Sequence, residues 1–310
     1  MSSSNESDAI GHLHHRLNLL TDQLEQTKIL VAQPVVRELR GLKNPIPLRQ
    51  SEFRVFSQFG DDGIIQYLIN RIHLPSAEQR FIEFGVENYR EANTRFLLLN
   101  DNWSGLVMDG SENYISNIRS EQIYWRNDLT ALARFITREN INSLIEEAGF
   151  DGRIGLLSID VDGNDYWVWE AVTAADPAIV IVEYNGIFGG SEAVTIPYQA
   201  DFDRQKAHYS YLYCGTSLPA LCHLAATKGY VWIGCNTAGN NAYFVRNEYG
   251  SAFQLSGLPA GFVAAKFREA RDRNGQLAHI GQREGFELIK ELPVWDVIAN
   301  RVRLVGDLTR

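Results

Sequence analysis

The stretch GLLSIDVDGNDYWVWE, residues 155–170, decides the fold. It is apolar from Gly155 to Ile159 apart from Ser158, turns acidic at Asp160, and passes through Gly163, Asn164 and Asp165 into an aromatic segment. An apolar run without alternation fits a parallel strand covered on both faces. Asp160, Asp162 and Asp165 lie within six positions. Ionised carboxylates that close together need a cation, hydrogen-bond donors or water. Open α/β sheets bind their ligands just beyond the carboxyl ends of their strands. The acidic knot is therefore a functional site, or else a turn capped by its own Asp and Asn side chains.

Working outward, the same pattern recurs. Phe81 to Gly85 (FIEFG), Gly105 to Asp109 (GLVMD) and Ile179 to Glu183 (IVIVE) are short apolar runs ending in Gly or acid, and Ile123 to Trp125 is a candidate third strand. Helical spacing covers residues 61–72, 93–99 and 136–148, the last introduced by Thr137 with Asn140 three positions on. Strands alternating with helices predict a βαβ succession and an open, mostly parallel, doubly wound sheet. Tyr230 to Ile233 and Ala242 to Val245 flank a Gly-Asn-Asn turn and predict a terminal antiparallel hairpin.

Residues 1–9 are rich in Ser, Asn and acid, which predicts a disordered tail. Residues 10–43 predict an N-terminal helical segment. Leu13, Leu17, Leu20 and Leu24 follow a 4-3-4 spacing, which suits either packing on the main domain or a homo-oligomer through this helix. Asn44-Pro45-Ile46-Pro47 breaks the helix, and the catalytic domain is expected over 51–310.

The net charge of −9 argues against a nucleic-acid partner. No apolar stretch reaches the roughly 20 residues that span a bilayer, and the start lacks a signal-peptide core, so the expected address is the cytoplasm. Cys214, Cys222 and Cys235 suggest neither a disulfide framework nor a zinc site. His12, His14 and His15 are expected on a solvated helix face.

A Gly after the first strand lets backbone approach a ligand, and the following helix start offers free N–H groups. The dinucleotide fingerprint GxGxxG is absent. Asp109 ends the next strand and can accept both hydroxyls of a ribose or cap the following helix. Asp128 is read as an acceptor for an adenine amino group or as a helix cap. If the strands ending at Asp160 and Glu183 are neighbours, Asp160, Asp162 and Glu183 converge. Such hard oxygen ligands suit magnesium or calcium, and without a metal the same carboxylates could deprotonate a hydroxyl. Residues 201–217 cluster Arg204, Lys206 and His208 with hydroxyl and phenol groups, as a carbohydrate-binding loop would. His208 is the candidate proton acceptor there.

Together these segments resemble the FkbM-type methyltransferases. The resemblance is carried by FSQFGDDGII (56–65), EFGVENYREANTR (83–95), WSGLVMDGS (103–111), FITRENIN (135–142), LLSIDVDGNDYWVW (156–169) and IVEYN (181–185), over roughly residues 53–300. It implies a class I, Rossmann-like methyltransferase fold and S-adenosylmethionine as cofactor, with a sugar-type or glycan hydroxyl as acceptor. It also implies that Glu83, Gly85, Glu87 and Asn88 surround the methionine part, Asp109 and Gly110 the ribose, and that Gln58 and Asp62 lie nearby. Asp160 would face the transferred methyl. Tyr89 departs from the family, which usually has Gly there, and could crowd the cofactor or point outward. The rival readings are a metal-dependent glycosyltransferase using Asp160-Val161-Asp162 and a non-catalytic subunit of a glycan-assembly complex.

Overall fold

The computed structural model describes residues 2–255, 257–258, 260–266 and 269–309. The chain divides into two units, residues 1–43 and 44–310. In the first, helix α1 (Ser2–Arg40) runs through Pro34. Its backbone is helical back to Ser2, in the stretch for which the sequence predicts disorder. Once a helix exists, each further residue adds a hydrogen bond without a new nucleation cost. Leu13, Leu17, Leu20 and Leu24 are all exposed.

In the second unit the described residues form a seven-stranded sheet. Five neighbouring strands pair in parallel: β1 (Arg80–Phe84), β2 (Ser104–Asp109), β3 (Leu129–Ala133), β4 (Gly152–Ile159) and β5 (Ala175–Glu183). A short β6 (Val194–Thr195) belongs to a second sheet with Pro293–Asp296 and Arg301–Leu304. The hairpin predicted near the end is β7 (Tyr230–Cys235) and β8 (Asn241–Arg246), antiparallel to each other, with β8 also antiparallel to β5. The order is β3-β2-β1-β4-β5-β8-β7, which is the class I methyltransferase arrangement.

Helices α2 (Asp61–Ile72), α3 (Arg95–Asp101), α4 (Glu112–Ser120), α5 (Gln122–Arg126), α6 (Ile141–Glu147), α7 (Asp165–Ala171), α8 (Arg204–Ala207) and α9 (Leu218–Thr227) connect or flank the strands. The strand runs are apolar because both faces are covered. Leu156, Leu157, Ile179, Val180, Ile181 and Val182 are each at most 1% exposed.

The third strand is a correction. Residues 122–126 form α5, with Trp125 exposed, and the strand is Leu129–Ala133, an edge strand whose side chains are buried only in part. No described helix is long and apolar enough to cross a membrane.

Candidate active site

The order of β2, β1 and β4 reverses the chain's direction of travel between β1 and β4, and ligands of open α/β sheets bind at such a switch. A cavity of about 870 Å³ opens there, walled by the carboxyl ends of all five parallel strands. Gly85 follows β1, Asp109 ends β2, Arg134 follows β3, Asp160 follows β4 and Glu183 ends β5, and all of them line it.

One half is built on the turn after β1. Gly85 has φ +72°, and a Cβ there would lie 1.7 Å from the Asp160 carbonyl oxygen, so only glycine lets the β1 and β4 ends come this close. Across from it, the Asp109 carboxylate accepts from the backbone N–H of Glu87 at 2.9 Å and of Ser111 at 2.8 Å. It thereby ties the two loops together. Gln58, Glu83, Glu87, Asn88 and Gly110 also line the cavity. Glu83 is 5% exposed. Burial pushes its carboxyl up to about 7, against hydrogen bonds from the Thr94 hydroxyl and the N–H groups of Asn93 and Thr94.

The other half is acidic. One oxygen each of Asp160, Asp162 and Glu183 lies within 4.8 Å of the others. Burial, then the charges of Glu183, Asp162 and Asp165, pushes the Asp160 carboxyl well above its ordinary value, with Arg204 opposing. Burial raises Glu183 to about 8, helped by Asp165 and Asp162 and opposed by Arg204. Asp165, the third acid of the knot, is not a wall residue. Its oxygens accept from the N–H groups of Val161 at 2.9 Å and Gly163 at 3.0 Å, and so shape the turn into α7. The capped turn is thus the role of Asp165, while Asp160 and Asp162 line the cavity.

Three oxygen donors suit a hard divalent cation, which would also suppress the carboxyl shifts. A cationic group already engages the site. Arg204 Nη1 lies 2.8 Å from Asp162 Oδ1, and Nη2 lies 3.5 Å from Glu269 Oε1.

Four sequence expectations change. Asp62 is buried and does not line the cavity. Its Oδ2 accepts from the N–H groups of Val55, Phe56 and Ser57 and from the Ser57 hydroxyl, so it organises a turn. Asp128 precedes β3 and accepts from the Ser104 hydroxyl at 2.5 Å, at the opposite end of the sheet from the cavity. His208 is not among the lining residues. It is half-buried, its Nδ1 is 2.7 Å from Ser210 Oγ and its ring lies against Tyr209, while burial and Arg273 hold its pKa below the ordinary value. Tyr89 neither crowds the cavity nor points outward. It is 0% exposed, with φ +59°, and its phenol meets Thr94.

Sequence reasoning gave no role to the wall formed by Arg134, Phe135 and Ile136, or to Lys266, Glu269 and Gln282. The first group would follow from a correctly placed third strand. Of the second, Lys266 and Glu269 lie in an irregular stretch, and Gln282 opens a helix, Gln282–Ile289. The last fifty residues do two jobs: Lys266, Glu269 and Gln282 help to wall the cavity, while Pro293–Asp296 pairs with β6 on one side and with Arg301–Leu304 on the other.

The sequence matches no protein-family model and no curated protein. Among solved structures, the chain is similar to an O-methyltransferase from Bacillus cereus in complex with SAH, at 13% identity and TM-score 0.38, over 71% of this chain and 91% of that one. It is also similar to the N-terminal domain of EvdMO1 in the presence of SAH and D-fucose, at 11% identity and TM-score 0.38, over 69% and 93%. The O-methyltransferase TomG from Streptomyces achromogenes, in complex with SAM, is similar at 10% identity and TM-score 0.37, over 71% and 89%. Likeness at this level carries no weight by itself, so the fold rests on the strand order and the site on its own geometry.

Proposed function

We propose that the chain is a cytoplasmic S-adenosylmethionine-dependent O-methyltransferase of the FkbM type that acts on a sugar- or glycan-type hydroxyl. The observation that carries this reading is the division of the cavity. A glycine turn and Asp109, suited to an adenosyl ligand, face three carboxylates suited to a polyol. When bound, the cofactor supplies a methyl already activated on a sulfonium.

What the protein adds is position and proton handling. Asp109 is pre-set by two backbone donors to receive ribose hydroxyls with its remaining lone pairs. Asp160 takes the acceptor's proton, a task favoured by a carboxyl pKa well above the ordinary value. Glu183 and Asp162 hold the acceptor hydroxyls directly or through magnesium, and in the second case Arg204 must release Asp162. His208 has no place in this scheme. The glycosyltransferase reading draws no support from the glycine turn, and the scaffold reading loses Tyr89, which stays out of the cavity.

The test is calorimetric titration with S-adenosylhomocysteine, with and without magnesium, followed by turnover of Asp160→Asn. Micromolar binding and a folded, inactive variant are expected. Absence of binding, or full turnover by the variant, rejects the reading. A magnesium effect that disappears in Glu183→Gln supports the metal.

A further inference from the structure

Glu83 lines the cavity, whereas Tyr89 and Thr94 do not. The three are nevertheless connected. Glu83 Oε1 accepts from Asn93 N–H at 2.8 Å. Oε2 accepts from Thr94 N–H at 3.0 Å and from Thr94 Oγ1 at 2.5 Å. Thr94 Oγ1 in turn lies 2.9 Å from the Tyr89 phenol.

A hydroxyl has one hydrogen to give. With that of Thr94 committed to the carboxylate, the phenol must be the donor. The chain runs from Tyr89 through Thr94 to Glu83, and water cannot replace any link, because Tyr89 and Thr94 are 0% exposed. Arg95 Nη1 holds the Tyr89 carbonyl at 2.9 Å, and its guanidinium lies 5.9 Å from the Tyr89 ring centroid. A non-glycine residue at φ +59° carries strain, and such strain persists only where surrounding structure enforces it. A carboxylate has about four acceptor positions. Three are used inside the protein, two of them on Oε2, which leaves the open one on Oε1.

We propose that Tyr89 is a positioning residue for the cofactor: its phenol, through Thr94, fixes Glu83 so that Oε1 receives the ammonium group of the bound S-adenosyl ligand. The inference rests on the methyltransferase reading above. It assigns a purpose to a buried tyrosine at a position where the chain departs from the FkbM pattern.

The charged and titratable neighbours of Glu83 are few. Asp62 from α2 raises its pKa, and Tyr89 and Arg95 flank it from the loop and α3. The register partners on β2 and β4, Val107 and Ser158, do not titrate. Removing the phenol weakens donation by Thr94 and moves Glu83 above its value of about 7. The ammonium needs the ionised carboxylate, so the loss must be largest on the acid side.

The experiment titrates S-adenosylhomocysteine into full-length wild type and Tyr89→Phe at about pH 6.5 and about pH 8.5, either side of the Glu83 value. Tyr89→Phe is expected to bind roughly fivefold more weakly at the lower pH, the effect of one hydrogen bond, and to match wild type at the higher. Thr94→Val should show the same pH pattern with a larger loss, and Thr94→Ser, which keeps the hydroxyl, should restore wild-type binding. These two variants decide the matter if Tyr89→Phe does not fold. Unchanged affinity, or a loss equal at both pH values, overturns the relay alone. Wild type that binds at neither pH overturns the methyltransferase reading and the relay with it.

Discussion

A methyl group added at Gly85 would meet the Asp160 carbonyl and would also sit on a backbone at φ +72°. Gly85→Ala is therefore expected to cost about 2 kcal/mol or more of stability and to weaken S-adenosylhomocysteine binding. Urea unfolding combined with ligand titration checks both. Gly85, Asp109, Asp160 and Glu183 were legible in the sequence because each marks the end of an apolar strand, and strand ends are where such sheets bind. Asp62 and Asp128 were not, because sequence shows a carboxylate but not which donors claim it. Asp62 is claimed by three backbone N–H groups, and Asp128 belongs to the beginning of a strand, not its end. His208 has the chemistry of a proton acceptor within a polar loop, but the loop turns that imidazole toward Ser210.

At the level of elements, long apolar runs announced β1, β2, β4 and β5, and the Gly-Asn-Asn turn announced the hairpin. The edge strand β3 has no such run, since LTALA holds a Thr and two Ala beside Leu129 and Leu132, and the bulkier Ile123 to Trp125, which belong to α5, carry the stronger strand signal. The turn between β4 and α7 depends on Asp165. Burial raises that carboxyl to about 6 against the N–H groups that oppose the shift, and it raises Glu83 to about 7. Both groups stay protonated in the folded chain at pH values where the unfolded chain has released the proton. Their effect favours folding most at acid pH, and it is lost as pH rises from about 4 toward 7. The thermal midpoint of the ligand-free protein should fall across that window, with a shallower slope in Asp165→Asn. A midpoint that rises throughout the window would contradict the assignment.

For the whole molecule, the two units raise separate questions. The exposed stripe of Leu13, Leu17, Leu20 and Leu24 has the spacing of a coiled-coil seam. Self-association through α1 is expected to give a dimer in sedimentation velocity and a monomer in the Leu17→Glu, Leu24→Glu double variant. A wild-type monomer at high protein concentration rejects it.

In the second unit, the strand order sets a timetable for synthesis. β7 precedes β8 in the chain but sits at the sheet's edge, with β8 between it and β5. As the chain leaves the ribosome, the parallel strands can assemble in sequence, whereas β7 has no neighbour in that sheet until β8 has been made. The cavity wall is later still, because it draws on a segment that begins at Ala265 and includes Lys266, Glu269 and Gln282. A nascent chain halted before that segment would hold the seven-stranded sheet with its site still open and with β6 lacking its partner strand Pro293–Asp296. Those are the features by which chaperones and proteases detect unfinished proteins.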